Sequence, residues 1–498
     1  MLKKLRELST QASLGVLLGL GFLTTLPYWN AKGDDAFITF QFVRHLVEHG
    51  QLAYNLGEPV YAFTSPLWLG FFSLVYAVIG EMYSASWVAS FMALILLVIS
   101  LWLLASRLIK DNALRMFAIA IVLIDPWLMR WGFSGQEISM KIAMGAFQLT
   151  AISWLLDKPR ESLMAGALVG LLLTLGCLTR PEFLLMFVLA VGGLVVRRDY
   201  RTAVVLVGVF ALTYGAWAYF CHTQFGWFLP HTIMVKTNNW RPMTLGEKIG
   251  YFFTQVIPRF SAIVLLPLLG LLAGMVLVFV KFGRKALELR EPRTLLLVTL
   301  WVTGCIGAYW ASLALSMSIY TLIYSPFIPL IGFALFDGIN KREPLLVKRM
   351  AWASLVIAVG ISAGLFAFRL GSFSWLTTSQ YNRGDDERLV VFGEYLDKNL
   401  PADARVATRE LGIVGYFSKR YTIDLQGIAT PQLLGSKDPQ DLRNLKPTHF
   451  TLYGEGLNEW EGIKLEPMHT AKFRRIGGSL AIDELRVMTL YKVKEPGQ

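Results

Sequence analysis

The chain has 498 residues, 54% of them hydrophobic and only 16% charged, with a mean hydropathy of +0.49 and a formal net charge of +12. So apolar a composition excludes an ordinary water-soluble enzyme, because one globular core has no room for so many long charge-free runs. Nor does the basic excess indicate nucleic acid, since Lys and Arg are scattered between apolar segments instead of forming one stripe.

The first apolar segment, Ala12 to Trp29, follows the basic Lys3, Lys4 and Arg6. No small-residue cleavage site comes after it, so an uncleaved transmembrane helix is expected. Residues 30–86 then form a long loop holding the apolar piece Pro66 to Ile79. If that piece crossed the bilayer, Arg107, Lys110 and every later loop would change sides, so a helix lying in the interface is expected. Further spans are expected at Trp87–Ala105, Leu114–Arg130, Ile138–Leu156, Leu163–Leu178, Phe183–Val196, Ala203–Phe220, Ser261–Val280, Thr294–Leu313, Tyr320–Phe336 and Ala351–Phe368. With the first they make about eleven transmembrane helices. Basic clusters at Arg107 and Lys110, Lys158 and Arg160, Arg197 to Arg201, Lys281 to Arg293, and Lys341 to Arg349 fall in alternate loops. The positive-inside rule assigns these and the N-terminus to the cytoplasm, leaving 30–86, 125–137 and 222–258 outside. Trp29, Trp68, Trp87, Trp127, Trp131, Trp227 and Trp310 gather near the outer helix ends, as an interfacial aromatic belt would.

After Arg369 the texture turns polar, with a helix expected at Glu387–Lys398 and strands at Arg405–Thr408, Arg420–Asp424, Thr448–Leu452 and Leu485–Val493. Residues 370–498 read as a soluble α/β domain, extracytoplasmic by helix parity, appended to a transmembrane module of residues 1–369. Cys177, Cys221 and Cys305 lie in or beside apolar segments without metal-ligand spacing, so no disulfide framework is expected.

Gly33-Asp34-Asp35-Ala36-Phe37 places two carboxylates at the start of an amphipathic stretch. Either Asp34 caps that helix while Asp35 supports its dipole, or one of them is a general base or metal ligand for a hydroxyl acceptor. Tyr54, Asn55, Thr64 and Trp68 follow in a turn-rich segment, which suits a tight connection or a sugar site of hydroxyl-bonding groups beside aromatic faces. Polar groups recur at Ser134-Gly135-Gln136-Glu137, Thr179-Arg180-Pro181-Glu182 and Pro230-His231-Thr232 through Lys236. Charge in the short connection at Arg180 pairs with Glu182 or Glu137, lines a cavity, or both. Arg180, His231 and Lys236 together suit an anionic phosphate. His45 and His49 stand at i, i+4 but face away from the acidic couplet, and interfacial histidines are expected there.

Taken in order, Gly33-Asp34-Asp35-Ala36-Phe37-Ile38-Thr39-Phe40, Tyr54-Asn55-Leu56-Gly57-Glu58, Thr64-Ser65-Pro66-Leu67-Trp68, Ser134-Gly135-Gln136-Glu137, Arg180-Pro181-Glu182 and Pro230-His231-Thr232 resemble the GT-C glycosyltransferases. The chain is similar to the branch holding arabinofuranosyltransferases that cap mycobacterial arabinan or modify type IV pilins. The resemblance extends through Val406-Ala407-Thr408, Gly412, Gly415-Tyr416 and Ile423-Asp424-Leu425-Gln426-Gly427, and departs from that branch at Gln136, His231 and Met234-Val235. It implies a polytopic GT-C-like fold in a bacterial inner membrane. It also implies a polyprenyl-phosphate-linked sugar donor, foremost arabinofuranose, and a glycan or protein acceptor. Asp34 or Asp35 would be the catalytic carboxylate, Arg180, His231 and Lys236 would meet the donor phosphate, and Tyr54, Asn55, Thr64, Trp68, Glu137 and Glu182 would meet sugar or acceptor. No cofactor is fixed, and a divalent cation is left open. A transferase of mannose or aminoarabinose is the nearest alternative. From another class come a lipid-linked-sugar flippase or transporter, opposed by the lack of a repeat and by charges at helix ends, not mid-bilayer.

Overall fold

The Ser9 hydroxyl accepts from Ala12 N at 3.2 Å and so starts the first long apolar helix, α1, Thr10–Thr25. The computed structural model describes residues 5–28, 32–238, 244, 246–247, 290–311, 323–342, 380–436, 438–477 and 482–494, and elements are numbered over these. α2, Asp34–His49, buries Phe37, Phe40 and Val43 on one face and stops at Gly50, whose φ of 69° suits glycine. A small hairpin of β1, Ala53–Asn55, and β2, Glu58–Pro59, turns at Gly57. The expected interfacial piece is a helix over the expected residues, α3, Pro66–Ile79.

α4, Met82–Leu108, begins five residues before the expected Trp87, because Glu81 caps it by accepting from Tyr83 N and Ser84 N. The expected single span Leu114–Arg130 is two helices, α5, Asn112–Leu123, and α6, Pro126–Gly132. Pro126 has no N–H for an α-helical bond and forces the break. Next come α7, Ile138–Asp157; α8, Leu163–Thr179; a single 3-10 turn at Pro181–Phe183; α9, Leu184–Val196; α10, Tyr200–Phe225; and α11, His231–Asn238. α12, Arg290–Ala311, and α13, Phe327–Arg342, complete the described helical module. The expected spans Ser261–Val280 and Ala351–Phe368 lie outside the described residues.

Among the described residues, α4, α7 and α10 are long and apolar enough to cross a membrane. α10 leaves Val204 70% and Leu212 74% exposed, an apolar surface that belongs in lipid. Its other side packs on α8 through glycines: a Cβ on Gly170 would meet Leu206 O at 2.7 Å, and one on Gly166 would meet Thr202 O at 3.0 Å. The Thr174 and Thr213 hydroxyls bond across the same contact at 2.7 Å, a pairing suited to helices that pack without hydrophobic drive. Polar contacts link described residues in and beside several of the basic loops. Arg107 and Arg293 both pair with Asp157, Arg6 pairs with Asp111 at 2.8 Å, and Lys110 N donates to Asp337 at 2.7 Å.

The carboxy-terminal domain starts with α14, Gln380–Asn399, longer than the expected Glu387–Lys398. Its sheet has the order β4-β3-β5-β8-β7-β6. β3, Arg405–Thr408, lies parallel to both β4, Tyr421–Asp424, and β5, His449–Tyr453. β8, Ile482–Val493, then joins antiparallel to β5 and to β7, Ile463–Gly477, and the short β6, Glu459–Trp460, closes that edge. Two short helices, α15, Ile413–Ser418, and α16, Pro439–Asn444, connect the parallel strands. β7 has no counterpart among the expected strands. Pro467 interrupts its pattern, and the ladder accommodates it by a register shift between Pro467 and His469.

Candidate active site

α2 begins at Asp34, with Gly33 in extended conformation as its N-cap and no side chain closing the cap. At 3.6 residues per turn, neighbouring residues are rotated by about 100°, so the two carboxylates point to different places. Asp34 meets the carboxy-terminal domain: its Oδ1 accepts from Ile413 N at 2.7 Å, at the first residue of α15. A Cβ on Gly412 would lie 2.1 Å from Asp34 O, so this approach requires glycine. Asp34 thus caps a helix 379 positions away, not its own. Asp35 lines a cavity.

The cavity has a volume of about 140 Å3. Its polar walls are Asp35 and Thr39 of α2, Thr64 and Ser65 before α3, Gln136, Glu137 and Lys141 at the start of α7, Arg180, and Thr232 of α11. Trp68 and Ile428 add apolar surface, and the Trp68 indole N–H is fixed on Gly135 O at 3.1 Å. Arg180 donates from Nη1 to Thr64 Oγ1 and Glu137 Oε1, each at 3.1 Å, and from Nη2 and Nε to Glu182 at 2.8 and 3.2 Å. The guanidinium therefore makes both expected carboxylate pairs at once. That arrangement holds together three chain segments and sets its positive charge against two negative ones.

Other expected site residues lie elsewhere. Tyr54 is fully buried and its hydroxyl donates to Leu411 O; Asn55 bonds both backbone groups of Thr422, at 2.9 and 3.0 Å. Both face the carboxy-terminal domain, and neither lines the cavity. Burial raises the Tyr54 phenol well above its ordinary pKa, which keeps it a donor. Glu58 joins the same seam through Tyr421 at 2.6 Å. The loop after β4 reaches the cavity with Ile428 and is shaped by buried Asp424, which accepts from Gln426 N and Ala429 N, each at 2.9 Å. Burial raises the Asp424 pKa even so.

His231 ties the regions together: its N–H donates to Tyr61 O at 2.9 Å, and its Nδ1 lies 3.3 Å from Ile428 O. Burial lowers the pKa of its ring. Lys236 belongs to α11, but its side chain lies outside the described atoms. His45 has its ring nitrogens on Ala53 O at 2.9 Å and Gln41 Nε2 at 3.2 Å. Among the described residues no three His, Cys, Asp or Glu side chains converge as a metal centre would need.

Sequence reasoning passed over Lys141 and quoted Ser65 and Thr232 within motifs without giving either a role. Lys141 is 2% exposed. Its signal was a lone ammonium one turn inside an apolar twenty-residue helix, where charge demands a reason.

Residues 377–489 match the family model "Domain of unknown function (DUF8728)". No curated protein matches the sequence. In fold the chain is similar to the oligosaccharyltransferase AglB from Archaeoglobus fulgidus, solved with an inhibitory peptide and a dolichol-phosphate, at TM-score 0.58 and 12% identity. That match covers 89% of this chain and 69% of that one. ArnT from Cupriavidus metallidurans in the apo state is similar at TM-score 0.52 and 12% identity, over 89% of this chain and 93% of ArnT. ArnT bound to undecaprenyl phosphate gives TM-score 0.50 and 11% identity, over 97% and 98%. Both neighbours are GT-C glycosyltransferases, and at such identities the likeness is one of fold: a GT-C-like helical module with a carboxy-terminal sheet domain.

Proposed function

We propose that this chain is a membrane glycosyltransferase that moves a sugar from a polyprenyl-phosphate donor to a hydroxyl of a glycan or protein, with Asp35 as the general base. The observation that carries the reading is the cavity itself, which one carboxylate of the acidic pair lines together with two cationic side chains, half-buried Arg180 and buried Lys141. In support, structural neighbours were solved with dolichol-phosphate, an inhibitory peptide and undecaprenyl phosphate. In the step proposed, the acceptor oxygen bonds to the anomeric carbon as the carbon–oxygen bond to phosphate breaks. The hydroxyl proton passes to Asp35 and the electron pair leaves with the phosphate. The leaving anion requires positive potential more than a strong acid.

For the sugar we favour arabinofuranose, on the sequence resemblance, with mannose and aminoarabinose as the competing donors. The membrane is a bacterial inner membrane in this reading, with the N-terminus and basic loops cytoplasmic and both cavity and carboxy-terminal domain outside. A divalent cation, if used, draws on Asp35, and adding or chelating Mn2+ in the assay addresses it.

The deciding experiment follows radiolabelled sugar from polyprenyl-phosphoryl arabinofuranose, mannose or aminoarabinose to glycan and pilin acceptors in membranes. Wild type is expected to label an acceptor, and Asp35→Asn to lose about 10²–10⁴-fold in rate. Asp34→Asn is expected to keep the chemistry while loosening the domain contact. Silence of the wild type with every donor would overturn the reading in favour of a flippase or transporter.

A further inference from the structure

Among the described residues, the carboxy-terminal domain reaches the cavity at a single point. Of the side chains lining it, Ile428 alone comes from residues 380–494, while Asp35, Lys141, Arg180 and every other charged or polar group come from the helical module. Ile428 is half-buried. Its side chain has no charge, no hydrogen-bonding atom and no group that could move a proton. What the domain brings to the cavity is therefore shape and an apolar surface.

The bonding of the loop holds that one side chain in place. Asp424 ends β4 and is fully buried, and its carboxylate accepts from Gln426 N and Ala429 N, each at 2.9 Å, and from Ile428 N. Gly427 N closes the turn on Asp424 O at 3.0 Å, with a φ of 83° that suits glycine. The Thr430 hydroxyl accepts from Asp424 N at 2.8 Å. Burying a carboxylate is costly unless donors compensate it, and here the compensating donors are the backbone of the loop itself. From the other side, Ile428 O accepts from His231 Nδ1 at 3.3 Å, at the first residue of α11. Both backbone polar groups of Ile428 are thus engaged, one by each domain. A side chain fixed in this way selects by fit, since little freedom is left to lose when a ligand packs against it.

We infer that Ile428 is a specificity-determining residue: it admits a sugar ring, of donor or acceptor, that turns a C–H face toward it, and rejects one that places a hydroxyl or hydroxymethyl group there. This rests on the proposed function for the substrate class. A hydroxyl pressed against Ile428 would give up water and gain no partner, and an added carbon would crowd it. Differences of this kind are worth roughly ten- to two-hundredfold in selection. The test measures kcat/KM in membranes with polyprenyl-phosphoryl arabinofuranose, mannose and aminoarabinose, and then, with the best donor fixed, for arabinan and mannan oligosaccharide acceptors. Ile428→Ala is expected to shift one of these preferences at least tenfold toward the poorer substrate, and Ile428→Thr, which keeps the branch and adds a hydroxyl, to shift it the same way. A shift in donor preference places the donor ring against Ile428, and a shift in acceptor preference at constant donor ratio places the acceptor ring there. Gln426→Ala, an exposed position two residues away, should leave both preferences at the wild-type value. A ratio does not depend on how much active protein is present, so a merely structural role for Ile428 would lower every rate alike and leave both preferences unmoved. Ile428→Val, the mildest change, keeps the ratio measurable where the others fold poorly. Unmoved preferences in these Ile428 variants would overturn the inference while leaving the proposed function standing. A wild type silent with every donor would remove the proposed function, and this inference with it.

Discussion

The two ends of α7 hold the same chemistry for different purposes. Its 20 residues span about 30 Å, and each end stands beside a guanidinium held by carboxylate, buried at Arg107 and half-buried at Arg180. At the Asp157 end, two arginines from α4 and α12 close on one aspartate, with Arg107 also donating to Ser153 at 2.9 Å. At the Glu137 end, one arginine holds two glutamates and a cavity opens beside them. A buried ion pair is thus no sign of a site by itself: what separates the two ends is the space and the additional polar groups around one of them.

The strongest way to break this comparison is to remove one partner at each end. Asp157→Ala and Arg180→Ala should each cost about 3–5 kcal/mol in thermal unfolding, because each strands buried like charges. Neutral replacement of whole sets then separates the ends. Arg107→Met/Asp157→Leu/Arg293→Met should recover stability and transfer together. Arg180→Met/Glu137→Gln/Glu182→Gln should recover stability but leave transfer about ten- to a hundredfold low, since the hydrogen bonds that hold Thr64, Glu137 and Glu182 in one cavity wall are lost. Wild-type transfer in the second set would reduce the cavity trio to scaffolding.

Smaller effects sharpen the contrast at the cavity end. Asn55→Ala removes two hydrogen bonds and leaves buried Thr422 backbone groups unmatched, an expected loss of about 2 kcal/mol. Hydrogen exchange should show it as faster opening of β4, with the Asp157 end unaffected. The smallest concerns Lys32, buried with its ammonium on Phe133 O at 3.0 Å, where burial lowers its pKa from 10.5 to about 8. Between those values the unfolded chain binds the extra proton, so stability should rise with pH above about 8, by no more than about 1.4 kcal/mol per pH unit. Melting curves of Lys32→Met across pH 8 to 10 should lack that rise.

Much of the architecture could be read ahead of the structure, because it depends on local signals. Apolar runs, caps and alternating basic loops locate α3, α7 and α8 to within a residue or two. The break at Pro126 was missed, the span Leu114–Arg130 being expected as one helix, although proline forbids its continuation. The acidic pair shows where locality ends. Sequence identified Asp34-Asp35 as the centre of interest, but which carboxylate faces the cavity depends on α15, far along the chain. Tyr54 and Asn55 had the right chemistry for a sugar and are committed to the other domain instead. Lys141, Ser65 and Thr232 belong to three elements distant in sequence, and only tertiary packing makes them neighbours.

Asn55 has one further consequence. β4 is the outermost strand of its sheet, and the Asn55 amide engages both the N–H and the C=O of Thr422 on that strand, standing in for a neighbouring backbone. Cut away from residues 53–59, the carboxy-terminal domain would present an open edge, an invitation to self-association. Residues 53–59 and the carboxy-terminal domain therefore work only as a matched pair, and a chimera that exchanged one without the other would lose solubility.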